Sequence, residues 1–220
     1  MATVLAIAGS TGLVGTEAVG LAAADSRFRL VLALARRSPA EPPPGPSVRT
    51  EIVDYERLDA WHLAQPLDAA FCALGTTIRR TGSEDAFRQV DYDYALAFAK
   101  RAQALGARHF LLVSALGADP KSRIFYNRVK GELERDIMAL GFLRLAIARP
   151  SVLLGDRTEV RFGELIAKWA SRVAPRAYRG VHAGRVASGL LAELFRRGAR
   201  SSALENRDLL EYPTDRIGPT

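Results

Sequence analysis

The chain predicts an α/β fold, a doubly wound parallel sheet, and three observations carry this. Short apolar runs recur between residues 4 and 148, each long enough for one strand buried on both faces. Helical or crossover segments separate the runs, and that alternation gives a parallel sheet. The first run leads directly into a turn with glycine at every third position, then into an alanine-rich stretch. Right-handed crossovers then give the order 3-2-1-4-5-6, with room for a seventh strand.

The first strand is Val4-Leu5-Ala6-Ile7-Ala8, and the turn is Gly9-Ser10-Thr11-Gly12-Leu13-Val14-Gly15. A helix follows over Thr16–Ala24. Strand, glycine turn and helix are the context of a dinucleotide fingerprint. Glycine turns sharply, lets the backbone approach a pyrophosphate, and lets helix and strand pack closely. The free N–H groups at the helix start then face the phosphates. The alternative is a glycine-rich turn that binds nothing.

Arg29–Ala35 reads as the second strand and runs into Arg36-Arg37, where such a fold meets the adenosine ribose. An acid there bonds the 2′-hydroxyl of NAD, whereas arginine accommodates the 2′-phosphate of NADP. No acid occurs in Arg29–Ala40, so the reading is NADP(H); two arginines closing a strand at the surface are the alternative. Pro39–Pro46 is a stiff loop. Val48–Val53 makes a third strand ending at Asp54, which either reaches the adenine amino group or caps a helix over Tyr55–Leu63.

Asp68–Leu74 is the fourth strand, ended by Gly75-Thr76-Thr77 beside the glycine loop, and Ile78–Ser83 is a polar loop. A long helix over Glu84–Leu105 carries Tyr94, Phe98, Ala102 and Leu105 on one face and stops at Gly106. His109–Ser114 is the fifth strand, with His109 structural. A helix over Ile124–Leu140 has Val129, Leu133, Ile137 and Leu140 as its stripe and stops at Gly141. Leu143–Ala148 is the sixth strand, broken by Arg149-Pro150. Beyond it the pattern turns mostly helical: Phe162, Leu165, Ile166, Trp169 and Val173 mark one amphipathic helix, and Val186, Leu190 and Leu194 another, with Arg196 and Arg197 at its end. The chain is read as one domain over 1–220, with 151–220 as a substrate or partner segment integrated with it.

The formal net charge is +7, and +6 of it lies in residues 151–200. Those cations alternate with apolar residues and carry no aromatic stacking series. They fit a solvated face or an anionic small molecule better than a specific nucleic acid. No apolar run reaches the ~18 residues of a membrane span. The start, without a basic leader and apolar core, reads as that of a mature cytoplasmic protein. Cys72 is the only cysteine, so no internal disulfide forms, and it reads as an inert core residue. No metal is assigned.

Ser114, Tyr126 and Lys130 form the chemical constellation. Ser114 ends the fifth strand beside the topological switch point. Tyr126 and Lys130 stand one helical turn apart on one face. A buried ammonium lowers a phenol's pKa from about 10 and suits it to pass a proton to a carbonyl oxygen. A serine hydroxyl can hold that oxygen. By itself the Tyr/Lys pair is equally an ordinary surface pair.

With the glycine fingerprint in front of them, these residues resemble the short-chain dehydrogenase/reductase family. The turn over Gly9–Gly15 and the Arg149-Pro150-Ser151 segment look like its extended and atypical branches. Leu74-Gly75-Thr76-Thr77, Val90–Tyr94, Phe125–Glu132 and Arg149–Leu154 are similar to the Tat-interacting, oxidoreductase-like proteins. Asp91 stands where those branches often carry an asparagine that braces the active site. The resemblance implies a Rossmann fold and NADP(H) lying along Gly9–Gly15, Arg36, Arg37, Asp54 and Leu74-Gly75-Thr76. It also implies that Tyr126 and Lys130 reach the nicotinamide half and that Pro150-Ser151-Val152 meet its end. The function expected is NADPH-dependent reduction of a small carbonyl compound, with Ser114, Tyr126 and Lys130 catalytic. The alternative is a catalytically weak NADP(H) sensor or scaffold with a protein partner. Monomer and homodimer are both open.

Overall fold

The computed structural model describes residues 3–38, 45–155, 175–198 and 201–218. Its main sheet comprises β1 (Thr3–Ala8), β2 (Phe28–Ala35), β3 (Val48–Ile52), β4 (Ala69–Cys72), β5 (His109–Val113), β6 (Arg144–Arg149) and β9 (Ser201–Glu205). The spatial order is β3-β2-β1-β4-β5-β6-β9, and every pairing is parallel. The expected Rossmann order thus holds, and a seventh strand joins at the β6 edge. A short pair, β7 (Leu153–Leu154) and β8 (Val181–His182), lies apart.

Both sheet faces are covered, which is why the strands are apolar throughout. Leu5 and Ile7 of β1 point to the face covered by α1 (Leu13–Ala23) and α6 (Ala183–Glu193). Val4, Ala6 and Ala8 point to the face covered by α4 (Tyr94–Ala104) and α5 (Phe125–Ala139). Phe98 and Phe110 pack there with tilted rings, and Phe110 stacks in turn on Phe142. Gly106 (φ 103°) and Gly141 (φ 72°) end the approaches to β5 and β6 in the left-handed region, where only glycine sits without strain.

Three details differ from expectation. The helix over 55–63 does not form, and only a 3-10 turn, Leu58–Ala60, is present. Its buried side chains, Tyr55, Leu58 and Trp61, recur at every third residue, the period of that turn and not of an α-helix. The polar stretch 78–83 contains a short helix, α2 (Ile78–Thr81), because Thr77 Oγ1 accepts from Arg80 N and Gly82 (φ 83°) ends it. Ser83 then caps the long helix, which is α3 (Glu84–Arg88) and α4 joined by a π-helical segment, Gln89–Asp93. The amphipathic helix expected through 162–173 lies outside the described residues, whereas the one through Val186 and Leu190 is α6.

Candidate active site

Leu34, Ala8, Cys72, Leu112, Ile147 and Ala203 form one lateral row across β2, β1, β4, β5, β6 and β9. The expected site residues leave their strands just beyond this row: Gly9 after β1, Arg36 after β2, Leu74-Gly75-Thr76 after β4, Ser114 after β5 and Pro150 after β6.

The glycines of the first turn do separate work. Gly9 has φ 77°, and a Cβ on it would stand 2.5 Å from the Ala73 carbonyl oxygen. A Cβ on Gly15 would stand 2.0 Å from the Gly9 carbonyl oxygen. Both are therefore needed for strand and helix to pack. Gly12 has φ −80°, open to any residue, and a Cβ there would lie 3.1 Å from Gly9 O and 3.9 Å from Ala73 O. It caps α1 without a side chain, and no acid lies in the first turn. The amides of Leu13, Val14 and Gly15 therefore start a helix with no capping side chain, an arrangement that fits a pyrophosphate. Ser10 is buried and donates to Leu34 O at 2.8 Å, tying the loop to β2. Thr11 is exposed.

Beyond the end of β2, Arg36 lines a cavity of about 480 Å³ with Ile52, Asp54, Tyr55, Glu56 and Tyr94. Arg36 and Arg37 are exposed, and neither is ion-paired among the described residues. With no helix over 55–63 to cap, Asp54 closes a local turn instead, accepting from Glu56 N at 2.9 Å. The Tyr55 and Tyr94 rings lie 5.8 Å apart, and the Tyr94 hydroxyl donates to Glu56 at 2.9 Å. The Tyr55 hydroxyl is buried without a hydrogen-bond partner among the described residues, and burial raises its pKa. The sequence reading did not single out either tyrosine for the site.

At the other end, Lys130 Nζ meets Asp91 Oδ1 at 2.7 Å, with side-chain exposures of 4% and 1%. Asp91 Oδ2 accepts from Thr76 N at 2.8 Å. A Cβ on Gly75 would lie 3.5 Å from Asp91 Oδ1 and 3.8 Å from Lys130 Nζ, so the loop after β4 rests on the pair. The π-helical turn brings Asp91 into this place, one of the irregularities that gather at functional sites. Tyr126 stands in the first turn of α5, packed on Phe87 at 5.5 Å between ring centroids. Ser114 is buried, and its Oγ has no partner among the described residues. Such an orphan hydroxyl is costly unless something bonds to it.

The electrostatics depart from the simple Tyr/Lys expectation. Burial raises the Tyr126 phenol above its usual 10.0; Lys130 pulls it down, Asp91 pushes it up, and the net direction is upward. Burial alone would lower the Lys130 ammonium, but Asp91 and then Tyr126 reverse this and hold it well above the ordinary lysine value. The Cys72 thiol, beneath the pair, is pushed up to about 11 by burial.

The segment after β6 is held by a residue the sequence reading did not single out. Asn206, buried at the start of α7 (Asn206–Leu209), accepts from Ser151 N at 2.8 Å and donates to Arg179 O at 2.9 Å. Ser151 Oγ donates to Arg179 O at 2.6 Å. Its amide and hydroxyl are thus engaged within the protein, while Pro150 O accepts from Leu116 N and Val152 O from Val181 N. Gly155 closes over the glycine loop, where a Cβ would strike Leu13. Arg149 meets buried Glu134 at 2.5 Å and Glu205 at 3.0 Å, locking α5 and β9 to β6.

Among the described residues no helix is long and apolar enough to cross a membrane. Protein HTATIP2 of Rattus norvegicus is 41% identical to this chain over 184 residues, 79% of the chain and 73% of the rat protein. Protein FMP52, mitochondrial, of Eremothecium gossypii is 38% identical over 178 residues, 79% of the chain and 76% of that protein. MoeE5, solved in complex with UDP-glucose and NAD, matches the fold with a TM-score of 0.69 at 16% identity, covering 92% of this chain and 75% of its own. No family profile matches. The cytoplasmic expectation is corrected by the relatives named mitochondrial, which point away from a plainly cytoplasmic protein. Composition by itself carries no compartment label.

Proposed function

Because the chain belongs to the atypical short-chain dehydrogenase/reductase family represented by Protein HTATIP2 and Protein FMP52, we propose that it is an NADPH-dependent reductase of a small carbonyl compound. One observation carries this reading. A buried ion pair, Asp91–Lys130, stands one helical turn from Tyr126, at the carboxyl end of the sheet, where the Ser114 hydroxyl has no partner among the described residues. Fixed charges and unpaired donors at the ends of parallel strands are what a reacting carbonyl needs and what a core does not tolerate.

A nicotinamide dinucleotide fits the uncapped start of α1 and the cavity beside Arg36, and NAD is the dinucleotide bound by the similarly folded MoeE5. We assign the phosphorylated form on Arg36 and Arg37, which meet no acid in their own strand. Leu13, Val14 and Gly15 would receive the pyrophosphate, Tyr55 and Tyr94 would flank the adenine, and Leu74-Gly75-Thr76 and Val152 would border the nicotinamide half. When bound, the cofactor supplies the hydride. Tyr126 gives its phenolic proton to the carbonyl oxygen, Ser114 Oγ holds that oxygen, and Lys130 orients the cofactor ribose with the donors that Asp91 leaves free.

The test is a fluorescence titration with NADPH and NADH, followed by a panel of carbonyl compounds with NADPH. NADPH should bind at least tenfold more tightly, and at least one carbonyl should be consumed. Equal affinities would remove the assignment of Arg36 and Arg37. Tight NADPH binding with no carbonyl reduced would replace the reductase by a cofactor-sensing protein.

A further inference from the structure

Among the described residues Asp91 is the one buried acid of the cleft, and the reaction as written gives it no task. It lies on the apolar stripe that runs from Phe87 through Ala95 to Phe98, where an unpaired acid would be strongly destabilising. Its two oxygens have different partners: Oδ1 faces Lys130 Nζ at 2.7 Å, and Oδ2 receives the Thr76 amide at 2.8 Å. A neutral amide in its place would still accept from Thr76. It would not neutralise Lys130. The carboxylate charge therefore does something that the loop geometry does not require.

We propose that Asp91 is a positioning residue that cancels part of the Lys130 field at Tyr126, so that the Tyr126 phenol stays protonated through neutral and mildly alkaline pH and serves as a proton donor to carbonyls. The groups that face this cluster are Lys130 and Tyr126 on α5, Asp91 on the π-helical turn and Cys72 at the end of β4. With Asp91 charged, Lys130 and Asp91 together present no net charge, and Tyr126 holds its proton. Without it, a bare ammonium remains in a buried site, and the Tyr126/Lys130 pair gives up its first proton at lower pH, from whichever member releases it more readily. In catalysis the proton would pass from Tyr126 Oη to the carbonyl oxygen, and the bound reduced cofactor would supply the hydride to the carbon. The resulting phenolate takes a proton back from solvent. Alcohol oxidation needs the phenolate at the outset, so it is confined to alkaline pH while Asp91 is charged.

This inference rests on Tyr126 as the acid, and its test separates the two. The protein without cofactor is titrated from pH 7 to 11.5 in wild type and Asp91→Asn. Phenolate absorbance near 295 nm is assigned to Tyr126 by subtracting the Tyr126→Phe variant in each background, and the Lys130 ε-carbon is followed by NMR. The first deprotonation of the pair should fall by at least one pH unit in Asp91→Asn, and the alkaline limb of carbonyl reduction should fall with it. An unmoved titration in both readouts would overturn the role of Asp91. A shifted titration with no carbonyl reduced by wild type would leave Asp91's role standing and remove the reductase. If Asp91→Asn does not fold, wild-type NMR decides: a Lys130 ammonium titrating at or below ~10.4, the ordinary lysine value, would overturn the proposal, and one charged beyond pH 11 would support it.

Discussion

The two ends of the cleft are built by opposite rules. At the end proposed for adenosine, Arg36, Asp54 and Glu56 lie open to solvent around a cavity of about 480 Å³, and the neighbouring Arg37 is exposed as well. At the other end, Asp91, Lys130 and Ser114 are buried at 1–5% exposure. Exposed charges act one at a time and are screened by salt. Buried ones act as a unit, because removing one leaves its partner desolvated and unpaired. On the proposed reading the first end serves affinity and cofactor choice and the second chemistry, and variants at each end test that division.

The largest effect should come from the loop that serves both ends. Gly12→Val should abolish NADPH binding in a folded protein, because the φ of Gly12 suits any residue while a side chain would enter the pyrophosphate cradle. Circular dichroism and calorimetry check this together. Wild-type affinity would mean that the loop is not the phosphate site. Gly9 or Gly15 would be the wrong choice, since their Cβ atoms strike backbone and would deform the turn itself.

Next comes the buried end. Tyr126→Phe keeps the ring on Phe87 and removes the proton, so carbonyl reduction should fall by roughly 10²–10⁴ with NADPH affinity little changed. Ser114→Ala should lower the rate as well, and the double variant should fall short of the product of the two losses, because groups that act together are not additive. Unchanged turnover in Tyr126→Phe would show that another group donates the proton.

The exposed end should give a smaller and salt-dependent change. Arg36→Ala combined with Arg37→Ala should weaken NADPH by about one to two decades, the worth of a charge-assisted phosphate contact of roughly 1.5–3 kcal/mol, and leave NADH unchanged. A parallel loss for NADH would place the arginines on the pyrophosphate and blur the division between the two ends.

The smallest effect lies at the far end of β5, away from the cleft. Burial first, then Arg144 and Arg108, depress the His109 pKa below 6.5, against a weaker push from Asp68. Between the folded and unfolded pKa values the unfolded chain holds more protons, so this contribution is present above about pH 6.5 and is lost as pH falls through the folded value. The urea midpoint between pH 7 and 5 should therefore vary less in His109→Gln than in wild type. An identical slope would show that His109 does not titrate differently on folding.

Most of the scaffold was legible because its signals are local. Strand runs, the glycine turn and the helix stops at Gly106 and Gly141 follow from backbone sterics and from burial on both faces. Ser114, Tyr126 and Lys130 were legible because a strand end and a helical spacing place them. The segment 55–63 misled because it is short, and over nine residues the every-third spacing of Tyr55, Leu58 and Trp61 is easily taken for the α-helical period.

By itself, then, the sequence determined the parallel sheet, its strand order from β3 to β6, the glycine turn after β1 and the one-turn spacing of Tyr126 and Lys130 on α5, since each depends on neighbours within a few residues. Only the tertiary structure decided the partner of Lys130, the seventh strand and the seat of Ser151. Asp91 reaches Lys130 across 39 residues of chain, Arg149 recruits Glu205 of β9, and Asn206 holds Ser151 from 55 residues away. The physical reason is that a buried charge or amide must find its partner in space, and no periodicity along the chain records which one it finds.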